Sequence, residues 1–105
     1  MIEEKIKEKV YKIFREANVG INRIILFGLR ARGDWEKDSD WDILIVVNKE
    51  LTRNEKMTLS HLIRKELAEE YIPCDVIIKS EKEIEYYKDF FGTVTYEALK
   101  EGIEI

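Results

Sequence analysis

The stretch Phe27–Val47, FGLRARGDWEKDSDWDILIVV, joins a glycine-flanked turn to two aspartates that lead into an apolar run. Ile43–Val47 is unbroken aliphatic sequence dominated by β-branched residues, which predicts a buried strand rather than a helix. Asp40 and Asp42 then stand at its N-terminal end. Alternation along a strand sends residues i and i+2 to one face, about 6.6 Å apart along the chain. At roughly 6 Å and an effective dielectric near 20, two carboxylates repel by about 2–3 kcal/mol. That is a large share of a small domain's stability. A bound divalent cation would offset it.

Working outward, Ile24–Phe27 is short, apolar and closed by Gly28, so it predicts the preceding strand. Leu29–Gly33 is ambiguous, with a single helical turn as one reading, and a polar loop from Gly33 and Asp34 runs to Ser39. Before it, Ile2, Ile6, Val10, Ile13, Phe14 and Ala17 recur at helical spacing among Lys and Glu, predicting an amphipathic helix stopped by Gly20. After the second strand, Thr52 and Glu55 have the spacing of a capping box. The helix they open carries an inward stripe of Leu59, Leu62, Ile63, Leu67 and Tyr71, and has ended before Pro73. Cys74–Ile78 is a third strand, followed by a second capping-box spacing at Ser80 and Glu83. Ile84, Tyr87, Phe90 and Phe91, then Gly92, then Tyr96–Lys100, predict two short helices whose aromatics belong to the core. Ile103 and Ile105 either add a terminal strand or fray.

The helix between the second and third strands is the connection that two parallel neighbours require. Parallel pairing brings strand starts together, so Asp75 is expected beside Asp40 and Asp42. Magnesium takes oxygen ligands, usually one or two carboxylates plus substrate phosphates. Two such ions can clamp the attacking and leaving oxygens of a phosphoryl displacement. The turn after Phe27 has a complementary use, since Gly28 lets backbone approach a phosphate and Arg30 and Arg32 add positive charge. The bland alternative is that Asp40 and Asp42 cap a loop and Asp75 is merely exposed.

Composition narrows the classes. The chain has 105 residues and a formal charge of −4, with acidic and basic residues interleaved. The expectation is one domain spanning residues 1–105, with no broad nucleic-acid surface. The sequence contains no apolar run near the ~18 residues that span a bilayer and no signal-peptide pattern, so a cytoplasmic protein that avoids membranes is expected. Cys74 is the lone cysteine, expected as a small buried thiol. His61 lies off the helix stripe without a second ligand at metal spacing, which places it on the surface. Self-association is left open.

Gly28–Gly33 and Ser39–Ile43 resemble the G-S-x-A-R-G and S-D-x-D-[IL] signatures of minimal nucleotidyltransferases in the DNA polymerase β superfamily, and Asp75-Val-Ile is similar to the third carboxylate of that family. The resemblance spans nearly the whole chain. It implies an α/β fold with a small mixed sheet flanked by helices, and magnesium-dependent transfer of a nucleoside monophosphate from a triphosphate such as ATP to a hydroxyl. Many such proteins are antitoxins that neutralise a helical HEPN-type ribonuclease, in some cases by adenylylating it. Carried over to these positions, Asp40, Asp42 and Asp75 would be catalytic and hold metal, while Gly28, Leu29, Arg30, Arg32 and Ser39 would bind the nucleotide. One position departs from the pattern. Leu29 stands where the family has serine, which removes one hydrogen bond worth about 0.5–1.5 kcal/mol. Reduced activity follows, and with it a second expectation: a catalytically weak module that inhibits a partner by binding. Trp35 could stack on a base, anchor an interface or simply be half-buried. Trp41, on the face opposite the aspartates, is expected in the core.

Overall fold

The computed structural model describes residues 2–33 and 39–105. Trp35 and most of the polar loop therefore lie outside the described residues. Along the chain come α1 (Ile2–Glu16), β1 (Ile21–Phe27), α2 (Gly28–Arg32), β2 (Trp41–Val47), α3 (Arg53–Ala68), β3 (Cys74–Ser80), α4 (Glu81–Tyr87), α5 (Val94–Glu101) and β4 (Ile103–Glu104). The strands form a mixed sheet in the order β3-β2-β1-β4. β1 runs antiparallel to β2 and to β4, whereas β2 and β3 are parallel and α3 supplies their crossover. As a result, the end of β1 and the starts of β2 and β3 share one end of the sheet. The terminal isoleucines do add a strand, with Leu26 paired to Ile103.

The central strand explains the layering. Ile43 through Val47 are all at most 1% exposed, and their alternation divides the core in two. Ile43, Ile45 and Val47 join Ile6, Val10, Phe14, Leu59, Ile63 and Leu67 under α1 and α3. Leu44 and Val46 join Ile25, Ile84 and Ala98 under α4 and α5. Each fully buried aliphatic side chain contributes about 1.5–3 kcal/mol relative to exposure, so a β2 covered on both faces is the energetic spine of the fold. Both predicted capping boxes form, at Thr52 with Glu55 and at Ser80 with Glu83.

Several sequence expectations change. Gly20 does not stop α1. The helix ends through Asn18, whose φ of 59° closes a Schellman turn in which Val19 N–H donates to the Phe14 carbonyl at 2.9 Å. Val19 is buried in place of Ala17, which is exposed. Leu62 and Tyr71 leave the inward stripe of α3. A second left-handed turn, at Tyr71 (φ 62°), ends the chain's helical course, leaving that ring 93% exposed while Ile72 is buried. Phe90 and Phe91 lie beyond the end of α4 and are exposed, because the helix stops at Tyr87 before they can reach the core. The strands also run longer than predicted, from Ile21 in β1, from Trp41 in β2 and to Ser80 in β3.

Candidate active site

The sheet end shared by β1, β2 and β3 gathers the polar residues singled out above. Asp42 pairs across the ladder with Phe27 on one side and with Asp75 on the other. The parallel start is fixed by Trp41 N–H donating to the Pro73 carbonyl at 2.9 Å. Strand alternation then sets the directions. Trp41 and Cys74 pack against the α1–α3 core, which leaves Asp42 and Asp75 on the other face, in line with Leu44 and Ile77. Asp40 stands one residue outside β2 and is exposed.

These carboxylates act on one another. The Asp42 carboxyl is pushed above its usual range, first by burial, then by the negative charges of Asp75 and Asp40, with Arg32 pulling the other way. Asp42 has no hydrogen-bond donor among the described residues. Asp75 accepts from Val76 N–H at 3.1 Å. A cation would relieve the arrangement, although among the described residues no three Asp, Glu, His or Cys side chains are gathered as a closed metal cluster. Two neighbouring carboxylates still fit magnesium, which fills its remaining positions with phosphate oxygens and water.

Gly28 closes the site on the β1 side. Its φ is +76°, which favours glycine, and a Cβ there would press on the Asp42 carboxylate and force it to move. The backbone of the turn is thereby held directly against Asp42. Leu29 lies within α2, whose two arginines have defined partners. Arg30 Nε donates to the Ser39 carbonyl at 2.9 Å and its guanidinium sits 5.1 Å from the Trp41 ring centroid. Arg32 pairs with Glu101 of α5 at 3.1 Å. Thus Arg30 fixes the entry to β2, and Arg32 ties the turn to the neighbouring helix while its charge still reaches Asp42.

Sequence reasoning missed Arg64. Rooted in α3, it approaches Asp75 Oδ1 with Nη1 at 3.9 Å. The signal was available: a crossover helix runs back to the start of the next strand, so a basic residue in its second half falls near an acid at that start. Cys74, between them in the chain's layout, is half-buried, and burial pushes its thiol up to about 11 despite the Arg64 charge. It packs against the α1–α3 core, where its raised pKa disfavours the reactive thiolate. His61 is exposed, as expected.

The fold and this geometry define a nucleotidyl-transfer class of domain, and the comparisons place the chain within it. The chain belongs to the Nucleotidyltransferase domain family, whose model matches residues 5–102. Two relatives from Methanocaldococcus jannaschii, both named "Putative protein adenylyltransferase", are 46% identical over 39 residues and 53% identical over 47 residues. The first alignment covers 37% of this chain and 39% of the relative, and the second 44% and 47%. Among solved structures, a chain from a toxin–antitoxin complex with AMP-PNP superposes with a TM-score of 0.61 at 18% identity, covering 92% of this chain and 69% of that one. A chain from the complex of a tri-AMPylated Shewanella oneidensis HEPN toxin with its MNT antitoxin gives 0.57 at 16% identity, covering 96% and 69%. The nucleotidyltransferase resemblance thus holds in family, and the chain shares the fold of these solved structures. Among the described residues no helix is long and apolar enough to cross a membrane.

Proposed function

We propose that this chain transfers AMP from ATP to a hydroxyl of a partner protein, and that it acts in this way as the antitoxin of a helical HEPN-type toxin. The observation that carries the reading is the pairing of Asp42 with Asp75 beside the Gly28 turn. The names of the relatives and the complexes of the fold neighbours support it.

The residues divide the work by position. The Gly28 turn and Arg32, on the β1 side, receive the triphosphate, with Arg30 and Ser39 shaping the entry. Asp42 and Asp75, with Asp40 at the rim, would hold magnesium, which would supply positive charge to the attacking and leaving oxygens. Asp75, farthest from the turn, faces the acceptor and takes the proton of its hydroxyl. The acceptor oxygen bonds to the α-phosphorus as the bond to the β-phosphate oxygen breaks and pyrophosphate leaves. Transfer requires the hydroxyl within about 3–3.5 Å of that phosphorus, and a partner would present it on the β3 side, beside Asp75.

The test is incubation with ATP, magnesium and a HEPN-type candidate partner, sought among proteins encoded beside this one, followed by intact mass spectrometry. Added adenylyl mass on the partner is expected with the wild type and none with Asp40→Asn, which should still bind. Leu29 favours a second reading, a binding-only antitoxin. Inhibition of the partner by the wild type with no added mass would establish that reading in place of the first. Neither binding nor modification would refute both.

A further inference from the structure

Arg64 reaches the site from the wrong side of the sheet. Its helix covers the α1–α3 face, where Leu59, Ile63 and Leu67 are buried, while Asp75 belongs to the other face. β3 is the edge strand, and the long side chain nonetheless brings its guanidinium within ion-pair distance of the carboxylate. It has no hydrogen-bond partner among the described residues. Asp40, Asp42 and Asp75 gather negative charge at the sheet end, while on the β1 side Arg32 is engaged by Glu101 and Arg30 by the Ser39 carbonyl.

We propose that Arg64 is the resident counter-ion of Asp75: it occupies the acceptor side of the site while no divalent cation is bound, and releases the carboxylate when one binds. The proposal rests on the reading that Asp42 and Asp75 hold metal. The geometry fits a contact made to be released. At 3.9 Å it is longer than a charge-assisted hydrogen bond, and both side chains are half-exposed or more. By contrast, Lys56 grips Glu83 at 2.7 and 2.8 Å at the far end of the sheet. An exposed pair of this kind costs metal affinity by up to about five-fold. That is large enough to measure and small enough for a cation held by two carboxylates to overcome. Release would also leave a guanidinium on the side from which an acceptor enters.

The experiment is a manganese titration of the whole chain without nucleotide, following free Mn2+ by electron paramagnetic resonance. Wild type, Arg64→Gln, Asp42→Asn and Lys65→Gln are compared at low and high salt. Lys65 is exposed on the same helix and makes no ion pair among the described residues, so its variant carries the same charge change without the contact. Arg64→Gln should bind manganese about two- to five-fold more tightly than wild type, with the gap closing at high salt as screening weakens the ion pair. Lys65→Gln should bind as wild type does. Equal or weaker binding by Arg64→Gln, or an equal gain in Lys65→Gln, would overturn the proposal while leaving the metal reading intact, provided Asp42→Asn abolishes binding. Binding that Asp42→Asn leaves unchanged, or no binding by wild type and Arg64→Gln alike, would overturn both.

Discussion

Asp42 and Glu83 are carboxylates at opposite ends of the parallel β2–β3 pair, and their surroundings differ in kind. Glu83 sits at the C-terminal end, where burial alone would raise its pKa. Lys56 and the Ser80 backbone more than reverse that and hold it below its usual value. It receives Lys56 Nζ at 2.7 Å and Ser80 N–H at 3.0 Å, and it completes the capping box of α4. Asp42 sits at the N-terminal end, where burial and two neighbouring acids raise its pKa and, among the described residues, Arg32 opposes them. Among the described residues, one end of the sheet is closely neutralised, and the other has only a long, exposed ion pair from Arg64 to Asp75 and the charge of Arg32 near Asp42. Acids held so loosely are the ones a domain can offer to something outside the fold.

The sharpest way to break this comparison is Asp42→Asn. If Asp42 is a metal ligand, its loss should lower AMP transfer by at least about 100-fold, measured as pyrophosphate release in the presence of the partner. The same substitution should raise the melting temperature of the metal-free chain, because it removes a repelled charge without removing a hydrogen bond. A metal-free variant that melts below wild type would show that Asp42 is structural, as Glu83 is.

Glu83→Ala is the converse case. It removes a capping interaction and an ion pair only a quarter exposed, with an expected cost of about 1–3 kcal/mol. For a domain of this size each kilocalorie lowers the melting temperature by about 4–8 °C. Thermal denaturation should register that loss, while manganese binding stays as in wild type. Weakened metal binding in Glu83→Ala would mean that the two ends are coupled and that the comparison is too simple.

Much of this contrast was legible in the sequence, for physical reasons. Both capping boxes are local patterns, closed within three residues, so Thr52 with Glu55 and Ser80 with Glu83 could be read directly. The buried run Ile43–Val47 marked the central strand, and the crossover helix dictated parallel pairing, which brings Asp75 beside Asp42. The misreadings came where two solutions compete on equal local terms. Asn18 and Tyr71 adopt left-handed turns that glycine would have announced, and periodicity then ran past the true helix ends to Ala17 and Tyr71. Phe90 and Phe91 kept helical spacing after the helix had stopped. Arg64 was missed because its partner lies in the next strand, and the two come together only when the crossover geometry is applied to helix and strand at once.

The smallest expected effect is on the pH dependence of stability, where the two acids should pull in opposite directions. Glu83 has a folded pKa below its ordinary 4.5, so its contribution is present above pH 4.5 and is lost as pH falls through the lowered value. Asp42 has a folded pKa above its ordinary 3.8. The folded chain binds that proton more tightly than the unfolded one, so the cost of Asp42 is full above its raised pKa and gone below 3.8. Acidification between those limits therefore relieves the N-terminal end while the C-terminal end begins to lose its support. Melting curves of wild type, Asp42→Asn and Glu83→Gln in metal-free buffer from pH 3 to 7 separate the two. The advantage of Asp42→Asn over wild type should be greatest near neutrality and shrink toward pH 3.8, and the deficit of Glu83→Gln should shrink only below pH 4.5. An Asp42→Asn advantage that stays constant across the range would show that the asparagine acts through packing and that the carboxylate at the site carries no electrostatic cost.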